Sequence, residues 1–365
     1  MKISFNNFQR EYETHKEAID SGFNRVLNSG RFILGPEVKN FEKSFAEYIG
    51  TNHSVGVANG MEALEIALMA LNVGSGDEVI TTPHSAVATA LAIQAVGAKP
   101  VFVDIDEYYH LDADKILEKI TDKTRAIIPV HIYGQPADMD KIMSIAKEKN
   151  IAVIEDCAQA HGATLANGKK VGSIGTLGCF SFYPTKNLGG CGDGGAITTN
   201  DATLNEKCLM LRNYGQKNRY EHEVCGLNSR LDEIQAVFLN DKLKRLDSDN
   251  ARRYEIAKIY KKELAGVGDI VLPKERDGIK HVYHLFVIET SKRDALQEFL
   301  IEHEIDSLIH YPIPIHKQKC LSEYNNIFLP RIETATKRIL SLPVHPYLTD
   351  EEVLFVCGTI KGFYS

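Results

Sequence analysis

The sequence predicts an α/β protein: a large unit on a mostly parallel sheet with helices on both faces, then a small α/β unit at the C-terminal end. Three observations carry this. Short apolar runs alternate with amphipathic segments through the first half of the chain. A glycine-dense, aromatic stretch runs from 172 to 195. A charged, glycine-free amphipathic segment, Arg230 to Leu264, then leads into a second alternation of strand and helix.

The elements follow in order. Glu11 to Leu27 has a helical pattern. Gly35-Pro36 opens a second helix, Glu37 to Ile49, with Val38, Phe41, Phe45 and Ile49 at three- and four-residue spacing. Ser54 to Val57 reads as a strand and Gly60 to Leu71 as a helix. Glu78 to Thr82, Ala86 to Val96 and Pro100 to Val103 read as strand, helix and strand. Ala126 to Val130, Met139 to Lys149 and Ile151 to Glu155 repeat that pattern. Strands this apolar belong to a sheet covered on both faces. Ligands of such sheets sit at the carboxyl ends of the strands. Gly178 to Tyr183 and Ala196 to Thr199 add two more strands. Arg230 to Leu264 reads as a helical bridge, with Leu231, Ile234, Phe238 and Leu243 on its apolar side. Val282 to Glu289, Asp294 to Glu304 and Ile305 to His310 follow as strand, helix and strand. The expected division is a large domain, 1–250, and a small one, 251–365.

Composition narrows the class. A chain of 365 residues is long enough for two domains. A net charge of -7 argues against a nucleic-acid-binding face. The seven cysteines are scattered with no CxxC pair, which points to reduced thiols in a cytoplasm. MKISFNNFQREYETH lacks the apolar core of a signal peptide. Val79 to Ala98 is uncharged and of membrane-spanning length, but it holds Pro83, His84, Gln94 and Gly97. A buried strand, a loop and a core helix fit it better, so no membrane partner is expected.

Two residues carry the chemistry. Asp156 ends the run Ile151-Ala152-Val153-Ile154-Glu155-Asp156, and Lys186 lies thirty residues on, in Phe182-Tyr183-Pro184-Thr185-Lys186-Asn187. A lysine and an aspartate at the ends of buried strands are what pyridoxal phosphate needs. The amine forms a Schiff base with its aldehyde, and the carboxylate keeps its ring nitrogen protonated. Burial lowers the pKa of such an amine, which favours imine chemistry. Glycines on both sides of Lys186 imply tight turns and close backbone approach to a ligand. Ser181 has a hydroxyl suited to a phosphate oxygen. Gly60 and Met61 stand at a strand-to-helix junction, where free backbone amides favour an anion. Histidines gather late in the chain, at 281, 284, 310, 316 and 345, but carboxylates at ligand spacing are absent. No metal is expected.

The runs EDCAQAHGA from Glu155, FSFYPTKNLGGCGDGG from Phe180 and RNYG from Arg212 resemble the DegT/DnrJ/EryC1/StrS aminotransferases. The likeness extends from FILGPEVKNFEKSFAEYIG to SLPVHPYLTDEEV, nearly the whole chain. It implies the type I, aspartate aminotransferase-like fold of pyridoxal-phosphate enzymes acting on nucleotide-linked keto sugars. Within the family, VHIYGQPADMD from Val130, LIHYPIP from Leu308, and Gln159 resemble the branch that aminates C3 of a dTDP-linked 3-keto-6-deoxyhexose. The sister branch making 4-amino sugars more often has histidine in place of Gln159.

By that resemblance, the amides of Gly60 and Met61, with Ser181, hold the cofactor phosphate. Gln159 donates to its phenolic oxygen. Asn228 matches an asparagine that reaches the phosphate from a neighbouring subunit, which implies a homodimer with shared active sites. Read by itself, Asn228 is a helix N-cap. His310, Tyr311 and His316 match a loop facing the sugar, and Tyr183 is near enough to Lys186 to face the same cleft. Lys217, Arg219 and Tyr220 form a basic and aromatic group for the diphosphate and base; for Lys217 a solvated loop position is the competing reading. L-Glutamate is the implied amino donor. Where the family has an aromatic ring stacked on the cofactor, this chain has Ala86. Either His84 takes that place, or a smaller apolar contact covers the ring. The alternatives are a 4-aminotransferase, a dehydratase and a non-catalytic regulator on the same fold. The dehydratase branch has histidine in place of the lysine, and Lys186 is present.

Overall fold

Seven short strands form the main sheet of the computed structural model, which describes residues 1–365. They are β1 (His53–Val57), β2 (Glu78–Thr81), β3 (Lys99–Phe102), β4 (Thr124–Ile128), β5 (Ala152–Asp156), β6 (Leu177–Ser181) and β7 (Gly195–Thr199), in the order β1-β7-β6-β5-β4-β2-β3. β2 to β6 pair in parallel, and β7 runs antiparallel to both of its neighbours. Ala126, Ile127 and Ile128 of β4, with Val153 and Ile154 of β5, are almost wholly buried. That requires cover on two sides.

The helices supply it. In chain order they are α1 (Phe8–Ser29), α2 (Pro36–Ile49), α3 (Gly60–Ala70), α4 (Ala88–Ala95), α5 (Met139–Lys149), α6 (Ala202–Leu211), α7 (Glu233–Leu243) and α8 (Leu246–Glu263). α3 and α4 pack Leu64, Leu68 and Ile93 into one core with Ile128 and Ile154. α5 packs Ile142 and Ile145 into another with Ile127 and Val153. Local chemistry sets the ends. Asn59 caps α3 by accepting the Glu62 amide at 2.9 Å. Asp138 caps α5, left-handed Asn150 closes it, and Lys147 and Lys149 lie in its last turn.

A short hairpin, β8 (Gln216–Asn218) and β9 (Glu221–His222), follows α6. The second unit pairs β10 (Phe286–Glu289) with β11 (Ile339–Leu342). Around that pair lie α8, α9 (Arg293–Glu302), α10 (Pro330–Ala335) and α11 (Asp350–Tyr364). Its core holds Tyr260, Tyr283, Phe286, Leu300 and Val356.

The structure departs from the expected elements at four places. The Arg230 to Leu264 bridge is two helices, with Lys244 and Arg245 between them. The strand expected at Val282 to Glu289 shortens to β10. The expected strand Ile305 to His310 is reduced to single bridges, Ile305 with Ile3 and Leu308 with Ser341. α4 starts at Ala88, because residues 82–87 are spent on a loop over the strand ends. The expected border at 250 falls inside α8. Leu246 packs in the core of α2 and α7, whereas Tyr260 packs in the second unit, which Ile3 also joins. Val79 to Ala98 divides among β2, that loop and α4, and no helix is long and apolar enough to cross a membrane.

Candidate active site

β5 ends on two carboxylates that face opposite ways, as successive strand residues do. Glu155 anchors a loop. Its Oε1 accepts the amides of Ile174 and Gly175 at 2.8 and 2.7 Å, and its Oε2 accepts that of Gly172 at 2.9 Å. His131 Nε2 lies 3.0 Å from the same Oε2, while its Nδ1 accepts the Ala137 amide. The proton is therefore on Nε2, which donates to Glu155. His131, Glu155 and Cys157 form a buried cluster of metal-ligand type, but the histidine and carboxylate lone pairs are already committed to these bonds.

Asp156 faces the other way and is buried. Its Oδ1 accepts the Ala158 amide at 3.2 Å and its Oδ2 accepts the Thr89 hydroxyl at 2.9 Å. Burial pushes its pKa up, while these two bonds and the Lys186 ammonium pull it down. Lys186 is reached through a turn after β6, closed by its own amide donating to the Tyr183 carbonyl at 2.9 Å. The residue is half-buried overall. Burial of its amine nevertheless brings the pKa down to about 8, against the pull of Asp156, and no hydrogen bond offsets this.

Lys186, Asp156, Gly60, Met61, Gln159 and Ser181 line one recess. The sequence chose all six. Ser85, Ala86 and Thr89 line it too. Gly60 is demanded by close approach: a Cβ there would lie 2.6 Å from Cβ of Ser181. The first-turn amides of α3 have no partner within the helix. An unpaired amine, a buried carboxylate and an anion cradle in one recess match the aldehyde, ring nitrogen and phosphate of pyridoxal phosphate, so the residues fit that group.

Gln159 is held at both ends. Its Oε1 accepts the Tyr133 amide at 2.8 Å, and its Nε2 donates to the Tyr311 hydroxyl at 3.0 Å. Tyr311 thereby reaches the recess from the second unit. His310 is tied back, with Nδ1 2.9 Å from the Ser341 hydroxyl.

Other residues lie elsewhere. His84 is not part of the recess wall, which corrects its expected stacking role. Its ring turns to Tyr133, with Nε2 2.5 Å from that hydroxyl, and small Ala86 lines the recess instead. His316 is buried behind its loop, 3.2 Å from Glu333 and beside Phe102. Tyr183 is 53% exposed and Tyr220 79%, both outside the recess of their own chain. Lys217 pairs with Glu223 at 2.7 Å, and Arg219 lies over the Tyr220 ring. Asn228 is exposed and bridges to Asn213. It is not an N-cap: Asp232 occupies the cap position of α7.

Thr89 and Tyr133 were not legible as site residues. Their partners are 67 and 26 positions away, and no spacing pattern marks either.

The sheet, the anion cradle and the lysine–aspartate pair define a type I, aspartate aminotransferase-like fold. The chain belongs to the DegT/DnrJ/EryC1/StrS aminotransferase family, whose model matches residues 13–361. It is 50% identical over 362 residues to a protein of Aneurinibacillus thermoaerophilus named dTDP-3-amino-3,6-dideoxy-alpha-D-galactopyranose transaminase, covering 99% of each chain. It is 47% identical to a protein of Geobacillus stearothermophilus named pleiotropic regulatory protein, over 100% of this chain and 99% of that one. Among solved structures it resembles S. venezuelae DesV in complex with a ketimine intermediate, with a TM-score of 0.97 and 43% identity over 100% of this chain and 99% of that one.

Proposed function

We propose that this chain is a pyridoxal-phosphate-dependent sugar aminotransferase. It moves an amino group from L-glutamate to C3 of a dTDP-linked 3-keto-6-deoxyhexose, as a cytoplasmic homodimer with shared active sites. The observation that carries this is the unpaired amine of Lys186 sharing a recess with the Asp156 carboxylate and the N-terminus of α3. The substrate follows from the name of the relative that is 50% identical over its full length.

Lys186 would hold the cofactor aldehyde and Asp156 its ring nitrogen. The amides of Gly60 and Met61, the Ser181 hydroxyl and Asn228 of a second copy would hold its phosphate, and Gln159 its phenolic oxygen. Bound there, pyridoxal phosphate supplies an electron sink for charge developing on the substrate carbon. The amine of Lys186, with its pKa lowered to about 8, removes the proton from that carbon and returns it as general base and acid. Tyr183, His310 and Tyr311 orient the sugar, with His316 supporting their loop from behind. Lys217, Arg219 and Tyr220 serve the diphosphate and base. Their exposure in a single chain suits a site completed by a second copy.

The test is the visible absorption of the purified protein, followed by product analysis. L-Glutamate should bleach a yellow protein, and the dTDP-3-keto sugar should restore the colour and yield the 3-amino sugar. Turnover of a 4-keto sugar without the 3-keto sugar would overturn the regiochemistry. A protein that stays colourless with added pyridoxal phosphate would instead favour a regulator, the reading that the name of the Geobacillus relative supports.

A further inference from the structure

Tyr133 stands in a hydrogen-bond chain that joins the two units. Its φ of 61° puts it in the left-handed region, which a tyrosine rarely adopts. In that pose its amide donates to Gln159 Oε1. Its hydroxyl lies 2.5 Å from both the His310 carbonyl and Nε2 of His84. A carbonyl can only accept, so the tyrosine proton goes to His310, and His84 donates its Nε2–H to the tyrosine oxygen. The ring is buried, edge-on to His84 at 5.4 Å and to Tyr109 at 5.6 Å. Gln159 completes the circuit by donating to the Tyr311 hydroxyl. One residue of the large unit therefore grips both the glutamine of the recess and the loop of the second unit.

We propose that Tyr133 is a positioning residue for the sugar half of the reaction, setting the His310–Tyr311 loop against Gln159, with His84 serving as its hydrogen-bond donor. This rests on the aminotransferase reading of the site. It also accounts for His84 facing away from the recess in a chain that has Ala86 where a ring is expected. Without the hydroxyl, the His310 carbonyl and His84 Nε2 lose their partner in a dry setting. The loop then keeps the Ser341 contact and the Tyr311 end.

Tyr133→Phe keeps the ring and the backbone bond to Gln159 and removes only the hydroxyl. Amide hydrogen exchange is measured on the purified protein, alongside glutamate bleaching and KM for the keto sugar. Exchange across residues 305–315 should quicken by about tenfold, with β4 and β5 unchanged. KM for the sugar should rise by about tenfold while bleaching by glutamate slows less than about twofold. His84→Leu leaves the bond from the tyrosine hydroxyl to the His310 carbonyl, so it should change exchange and KM in the same direction but by less, and His84→Gln, whose amide can donate to the same oxygen, should stay near wild type. Unchanged exchange and KM in Tyr133→Phe would overturn the proposal, as would exchange quickened equally throughout the chain. A wild-type protein that stays colourless with added pyridoxal phosphate would sink the aminotransferase reading instead, and exchange would still decide whether Tyr133 holds the loop.

Discussion

Thr89 and Asp156 are 67 residues apart in sequence and 2.9 Å apart in space, the threonine hydroxyl donating to Oδ2 of the carboxylate. Because that proton is committed, Ser85, 3.0 Å from Thr89 Oγ1, is the donor in the next link. A buried carboxylate is costly unless donors surround it. Here the second unit supplies none; Thr89 in the first turn of α4 and the Ala158 amide do, and Ser85 of the loop after β2 backs the threonine.

Thr89→Val keeps the shape and removes the donor. The Asp156 pKa, already raised by burial, should rise further, because a bond to its charged form is lost. The carboxylate would then protonate at higher pH, and the acid limb of the kcat/KM profile should move up. Loss of a hydrogen bond to a charged group is worth about 2 kcal/mol, roughly thirtyfold in kcat/KM. Thr89→Ser should restore both. A Val variant with an unmoved acid limb would show that Thr89 only packs.

Lys186 should leave a signature in stability. Its amine is lowered to about 8 in the folded chain, whereas an unfolded lysine titrates near 10.4. Between those values the unfolded chain binds more protons, so this residue makes stability rise with pH over that window. Urea unfolding of cofactor-free protein at either end of it should show the rise in wild type. In Lys186→Met that contribution should be missing, and turnover should be lost. A stability difference between the two proteins that is the same at both pH values would contradict the lowered pKa.

Gly60→Ala tests the anion cradle. Alanine is the better helix former by about 1 kcal/mol. Its Cβ, however, would sit 2.6 Å from the Ser181 Cβ and 3.1 Å from its Cα, so β6 and α3 must part. Pyridoxal phosphate retention, followed by absorbance on dilution, should weaken by about tenfold, and the cofactor-free protein should melt lower as the strand and helix part. Retention equal to wild type would mean that the phosphate is held elsewhere.

The sequence was most legible where one run of residues states both element and chemistry. β5 ends in Glu155-Asp156, and Asn59-Gly60 is a cap followed by a glycine, so strand end and helix start could be placed with the groups they present. Legibility failed where function depends on pairing across the fold. His84 looked like a candidate ring for the cofactor because its neighbour Ala86 is small; its partner Tyr133 is 49 positions away and holds it in another direction. Asn228 looked like a cap because a helical pattern follows, yet the chain stays in a bridge with Asn213 and the helix begins at Glu233. Ile305 to His310 has strand composition, but Ile3 and Ser341 pair with it at single residues, so no ladder forms.

Asn228 supplies the test of a shared site. It is exposed and outside the recess that contains Lys186 of its own chain. If it serves the phosphate of a second copy, each site joins Lys186 from one chain to Asn228 from the other. Lys186→Ala removes the amine, and Asn228→Asp sets a negative charge against the phosphate, so each variant alone should be nearly inactive. In a mixed dimer both substitutions fall in one site and the other is intact. Half of randomly assorted dimers are mixed, so co-expression of equal amounts should recover about one quarter of wild-type turnover. Were each site built from a single chain, every site in the mixture would carry one substitution and no activity would return. Gel filtration of each variant as a dimer completes the control, because failure to assemble would also keep the mixture inactive.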